Sequence, residues 1–193
     1  MATPKTKPIV LLIPGMWHTP EVFDALRTEI EKHSYKTTSR QLPSMGCADP
    51  SNHSAQSDAD FIRSQLLLPL IDSGERIFLV MHSYGGMPGS AAAYGLSEEE
   101  RSKDGLKGGI VGLIYIAAFI VPAGRTCADM KPPPLAGFEM NENDAAIDFD
   151  LQKRLVAAAG IERVSTLDTD HSPFLTMPRK TAEILVEYIN DFV

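Results

Sequence analysis

Apolar residues fall along this chain in two rhythms. Short continuous runs, Pro8 to Ile13, Ile77 to Met81 and Ile110 to Phe119, have the pattern of strands buried on both faces, as in a parallel sheet. Between them the spacing is helical. Val22, Phe23, Leu26 and Ile30 share one face after Thr19 and Pro20, which read as N-cap and first helical residue. Ala59, Ile62, Leu66, Leu67 and Leu70 share another across Ala55 to Ile71, with Pro69 expected to bend or end the last turn. Tyr35 to Leu42 is a more polar strand, nearer an edge, followed by a loop from Pro43 to Asn52.

The second half continues the alternation. A helix is expected from the residues after Ser83 to about Tyr94, and a charged surface segment from Ser97 to Lys107. The Lys131-Pro132-Pro133-Pro134 tract breaks the rhythm, because consecutive prolines impose an extended, unpaired conformation. Asp148 to Ala159 reads as a helix, Glu162 to Leu167 as a short strand and Pro178 to Phe192 as a final amphipathic helix. Strand and helix in turn predict an α/β fold, a doubly wound and mostly parallel sheet covered by helices on both faces. In such sheets sites lie at the carboxyl ends of strands. The 193 residues contain no linker or charge block that would divide them, so one domain over 1–193 is expected.

Charge and composition narrow the classes. A net charge of −7 leaves no footprint for nucleic acid or an anionic membrane, and neither is expected as a partner. Cys47 and Cys127 lack metal-ligand spacing and read as free thiols of a reducing compartment. The run Ile9 to Ile13 after Lys5 and Lys7 is too short for a signal-peptide core, so a cytoplasmic location is expected. No metal site is expected.

The chemistry centres on Leu79-Val80-Met81-His82-Ser83-Tyr84-Gly85-Gly86. A buried strand stops at a serine and small residues follow at once, as in the G-x-S-x-G elbow that exposes a nucleophile between strand and helix. Met81 stands at the first glycine position and Gly85 at the second. A serine needs a base to take its proton. In the chain order serine, acid, histidine, only His171 follows Ser83; the adjacent His82 precedes it, and strand alternation turns it away, so it reads as structural. The acid is less determined. Asp144 lies in a polar turn before a helix, while Asp129, Glu142, Asp168 and Asp170 stay open on order alone. An oxyanion requires two fixed N–H donors. Tyr84, after the serine, and Met16, after Gly15 in the loop behind the first strand, are placed to give them, with Trp17 and His18 lining the mouth.

These stretches resemble the α/β-hydrolase superfamily, in the branch of plant methylesterases, hydroxynitrile lyases and small microbial and fungal esterases. The similarity runs through Val10 to His18, Val80 to Gly86, Tyr115 to Phe119, Glu142 to Ile147 and Asp170 to Phe174. It implies Ser83 as nucleophile, His171 as base, Asp144 as acid, Met16 and Tyr84 as oxyanion donors, cofactor-free chemistry and a small-molecule ester substrate. Gly15 and Ser172 stand where the lyases of the branch have threonine and lysine, so ester hydrolysis fits better than cyanohydrin cleavage. The resemblance also exposes a gap. Only Val121 to Asn143 separates the strand at Ile110 from the acid, so the helical cap is deleted or minimal, and Leu135 to Met140 is the one candidate for the buried strand before Asp144. Apolar surface left by a missing cap would favour self-association as a homodimer. The alternative to an enzyme is a non-catalytic binding protein of this fold or an inactive shortened product.

Overall fold

All seven residues of the strand Arg76–His82 are buried, and the other strands are arranged around it. In this computed structural model, which describes residues 6–120, 143–144, 146–147 and 149–193, it is the third strand, β3. The others are β1 (Ile9–Ile13), β2 (Thr37–Ser39) and β4 (Gly109–Ile116), joined in a parallel sheet of order β2-β1-β3-β4. β2 is shorter than its hydropathy pattern and sits at the edge, with intermediate burial throughout.

Helices α1 (Asp24–Glu31), α2 (Ala55–Phe61), α3 (Leu68–Asp72), α4 (Gly86–Ala93), α5 (Glu98–Lys103), α6 (Phe149–Ala158), α7 (Pro173–Thr176) and α8 (Pro178–Asn190) complete the described elements. Side chains alternate across the sheet, and the two faces bury different helices. Leu11, Ile13, Ile77, Leu79 and Met81 pack with Ile62, Leu67, Ile71 and Ala92 of the α2-to-α4 side. Val10, Leu12, Phe78 and Val80 pack with Leu26 and Ile30 of α1 and Leu185, Val186 and Ile189 of α8. The result is an open α/β sheet covered on both faces, as the alternation of elements predicts.

Two departures from expectation have local causes. The helix across Ala55 to Ile71 does not simply bend at Pro69; residues Ile62–Leu67 between α2 and α3 adopt a π-helical winding. Proline has no N–H and its ring crowds the carbonyl of the preceding turn, and just before Pro69 the winding widens so that the Leu68 N–H reaches back to the Arg63 carbonyl. The expected strand at Glu162 to Leu167 is a correction: among the described residues it forms no ladder, and only Thr166 has a bridge. A cavity of about 340 Å³, lined by Leu113 and Ile114 of β4, Val164 and Ser165 of this segment and Leu185 of α8, lies between the segment and β4. A strand needs a neighbour at hydrogen-bonding distance, and among the described residues no strand pairs with this segment. The candidate strand Leu135 to Met140, the proline tract and the cap region lie outside the described residues. No helix among the described residues is long and apolar enough to cross a membrane.

Candidate active site

The site is built where β1 and β3 end. After His82 the chain enters a tight turn, Ser83–Gly85, with Ser83 at a φ of +51°, a left-handed conformation that a β-carbon disfavours. The turn is fixed from outside by the Phe119 N–H, which donates to the Ser83 carbonyl at 3.0 Å. Small residues let the backbones close in: a β-carbon on Gly85 would lie 2.6 Å from the Pro14 carbonyl oxygen, and one on Gly86 2.3 Å from that of Phe119. Met81 fits in place of the pattern's first glycine because room is made one turn further on. A β-carbon on Gly89 of α4 would meet its Sδ at 2.5 Å.

His171 sits in the loop before α7, with its Nε2 2.9 Å from Ser83 Oγ and its Nδ1 2.9 Å from Asp144 Oδ2. The Asp144 side chain is fully buried. Its Oδ1 accepts the N–H groups of Ala146 (2.8 Å) and Ile147 (2.9 Å), and Gln152 Nε2 donates to Oδ2 at 3.3 Å. Two of the other acids open on chain order have partners of their own. Asp168 accepts from Asn143 at 2.7 Å, Asp170 accepts the Ser172 N–H at 2.9 Å and shapes the turn after His171, and Asp129 and Glu142 lie outside the described residues.

On the other side, the Gly15 backbone abuts the elbow, where a β-carbon would lie 2.9 Å from Ser83 Cβ. Met16 follows, 39% exposed, and among the described residues its N–H donates to no protein acceptor. Trp17 is 88% exposed at a φ of +62°, its N–H on Met45 Sδ at 3.1 Å. Tyr84 is buried, and its hydroxyl donates to Asp58 at 2.8 Å. Gly15, Met16, Trp17, His18, Ser83, Tyr84, Asp144 and His171 thus converge on one end of the sheet. Among the described residues no cluster of His, Cys, Asp and Glu is arranged to hold a metal ion.

His82 does more than strand alternation implies. Its Nε2–H donates to the His171 carbonyl at 3.1 Å. The ring lies 4.8 Å from that of His171, 4.7 Å from Phe174 and 5.4 Å from His18, measured between centroids. Burial, then the neighbouring His171, hold the His82 imidazole well below its ordinary pKa, and the same two causes lower that of His18. His82 is therefore a neutral donor that carries the loop of His171. Gln152, Asp58 and this use of His82 escape sequence reading, because their partners are set only by long-range packing.

A parallel sheet with a strained serine at the carboxyl end of a buried strand, a histidine on its hydroxyl and a buried carboxylate on that histidine define the hydrolase class of α/β proteins. The chain belongs to the alpha/beta hydrolase family, whose model matches residues 10–142. It is 30% identical over 127 residues to the alpha/beta hydrolase nvfD of Aspergillus novofumigatus, covering 66% of this chain and 49% of that one. The chain spans about half the length of the curated relatives it matches. Among solved structures it is similar in fold to a polyneuridine aldehyde esterase (TM-score 0.72, 14% identity, 95% and 99% of the two chains). It also resembles a methylesterase from Arabidopsis (TM-score 0.68, 18% identity, 94% and 99%).

Proposed function

We propose that this chain is a cofactor-independent serine hydrolase that cleaves a small ester through an acyl-enzyme on Ser83. The observation that carries this reading is the continuous path Ser83 Oγ, His171 Nε2, His171 Nδ1, Asp144 Oδ2, with 2.9 Å at each hydrogen bond. With Nδ1–H given to Asp144, Nε2 is left as the acceptor of the serine proton. Ser83 Oγ attacks the ester carbonyl as His171 takes that proton. The oxyanion receives the N–H groups of Met16 and Tyr84, and collapse releases the alcohol with the proton from His171. Water then repeats the sequence on the acyl group, returning Ser83 and a carboxylic acid.

Asp144 stabilises the imidazolium formed in each half-reaction and holds the ring in one tautomer. The esterases among the similar structures support an ester as the bond cleaved. A binding module of the same fold would have no use for a base hydrogen-bonded to a serine held at positive φ, a conformation that costs about 1–3 kcal/mol. The test is hydrolysis of p-nitrophenyl acetate by the parent and by Ser83→Ala. Turnover in the parent and loss in the variant is the expected result; equal rates, or no turnover of either by folded protein, would overturn the reading.

A further inference from the structure

The two proposed oxyanion donors come from loops behind different strands, whose backbones touch through Gly15 and Gly85, and side chains join the same loops a second time. A connection runs through Asp58. Helix α2 starts behind Ser54, whose hydroxyl accepts the Ser57 N–H, and within its first turns presents Asp58, which is 0% exposed. That carboxylate accepts the Ser44 N–H at 3.0 Å, the Ser44 hydroxyl at 2.5 Å and the Tyr84 hydroxyl at 2.8 Å. The next loop residue, Met45, accepts the Trp17 N–H on its Sδ at 3.1 Å, and its carbonyl is held by the Gln41 amide at 2.8 Å. Packing alone does not select a carboxylate at a fully buried position, because an apolar side chain fills space without a desolvation cost. What the carboxylate adds is direction: it fixes Tyr84 against the residue beside the one that fixes Trp17.

We infer that Asp58 is a positioning residue of the oxyanion site, setting the separation of the Met16 and Tyr84 N–H groups through Ser44, Met45 and the Tyr84 side chain. The inference rests on the serine-hydrolase reading above. Oxyanion donors act only when preorganised, and a misplacement of less than an ångström lowers rate by about 10–100-fold.

The experiment compares the parent, Tyr84→Phe, Asp58→Asn and Asp58→Leu. It reads the rate of Ser83 labelling by a fluorophosphonate, kcat and KM for p-nitrophenyl acetate, and thermal unfolding. Tyr84→Phe removes only the hydroxyl and is expected to slow labelling and kcat about 10–100-fold, with KM within about twofold and the parent's pH profile. Asp58→Asn, which keeps an acceptor for that hydroxyl, is expected within about tenfold of the parent, whereas Asp58→Leu is not. If Asp58→Leu does not fold, Tyr84→Phe decides alone. Labelling of folded Tyr84→Phe at the parent's rate overturns the role of Asp58 and leaves the serine-hydrolase reading intact. A folded parent that takes no label at Ser83 overturns both.

Discussion

The two halves of the candidate site are held by different means. On the Ser83 side, β1 and β3 are paired along five residues and buried on both faces, and the elbow is clamped by backbones that approach through Gly85 and Gly86. On the Asp144–His171 side no ladder among the described residues reaches either residue. These two are held by hydrogen bonds to Ala146, Ile147, Gln152 and His82, and by Phe174, fully buried against Phe23 and the His82 ring. β4 and the segment that leads to His171 line a common cavity. One half is positioned by close-packed main chain; among the described residues the other is held by a few hydrogen bonds and one buried ring, and each of these should matter more than its size implies.

The strongest way to break the comparison is at the chemistry itself. Ser83→Ala and His171→Ala are each expected to lower kcat/KM for an ester by about 10⁵–10⁶-fold, and each should cost nearly as much as both together, because the residues act as a unit. Non-additive loss is read from the double variant; independent, multiplying losses would contradict a shared proton path. Asp144→Asn is expected to cost about 10⁴-fold, since it spoils the tautomer and the charge while leaving the nucleophile side in place. An Asp144→Asn variant as active as the parent would remove Asp144 from the path.

Effects on stability sharpen the contrast. Phe174→Ala is expected to destabilise by about 3–5 kcal/mol in denaturant unfolding, a large share of a domain's stability for one residue in a four-residue helix. Acidification should act through His82. Its folded pKa lies below the ordinary 6.5, so the unfolded chain binds a proton that the folded chain refuses. Stability is therefore full above about pH 6.5 and falls below it, by up to about 1.4 kcal/mol per pH unit for one proton. His82→Asn should flatten that slope in unfolding curves between pH 5 and 8. The smallest expected effect has the opposite sign: Ser83→Gly relieves the positive φ and should raise stability by about 1 kcal/mol while abolishing activity.

Much of this was legible in the residues because it is local. Continuous apolar runs mark β1, β3 and β4, and the elbow follows from one serine between a buried strand and a run of small residues. Chain order singles out His171, while Asp144 among several acids required the fold to bring it to 2.9 Å. What could not be read depends on distant partners. Glu162 to Leu167 has strand-like residues, but a strand exists only with a neighbour, and among the described residues no strand pairs with it. Met81 looks like a defect in the elbow until Gly89 is seen to accommodate it. Asp58 and His82 are a helix acid and a strand-end histidine in the sequence. Their roles arise from Tyr84, 26 positions on, and from a carbonyl 89 positions away.

The central claim, that the sheet-built serine and the side-chain-held histidine form one reactive unit, is tested most directly by covalent labelling with a fluorophosphonate, read by intact mass and peptide mapping. One adduct per chain is expected, on Ser83, with its loss in His171→Ala at unchanged thermal unfolding. Folded parent protein without an adduct, or labelling of Ser83 that persists at the same rate without His171, would contradict it.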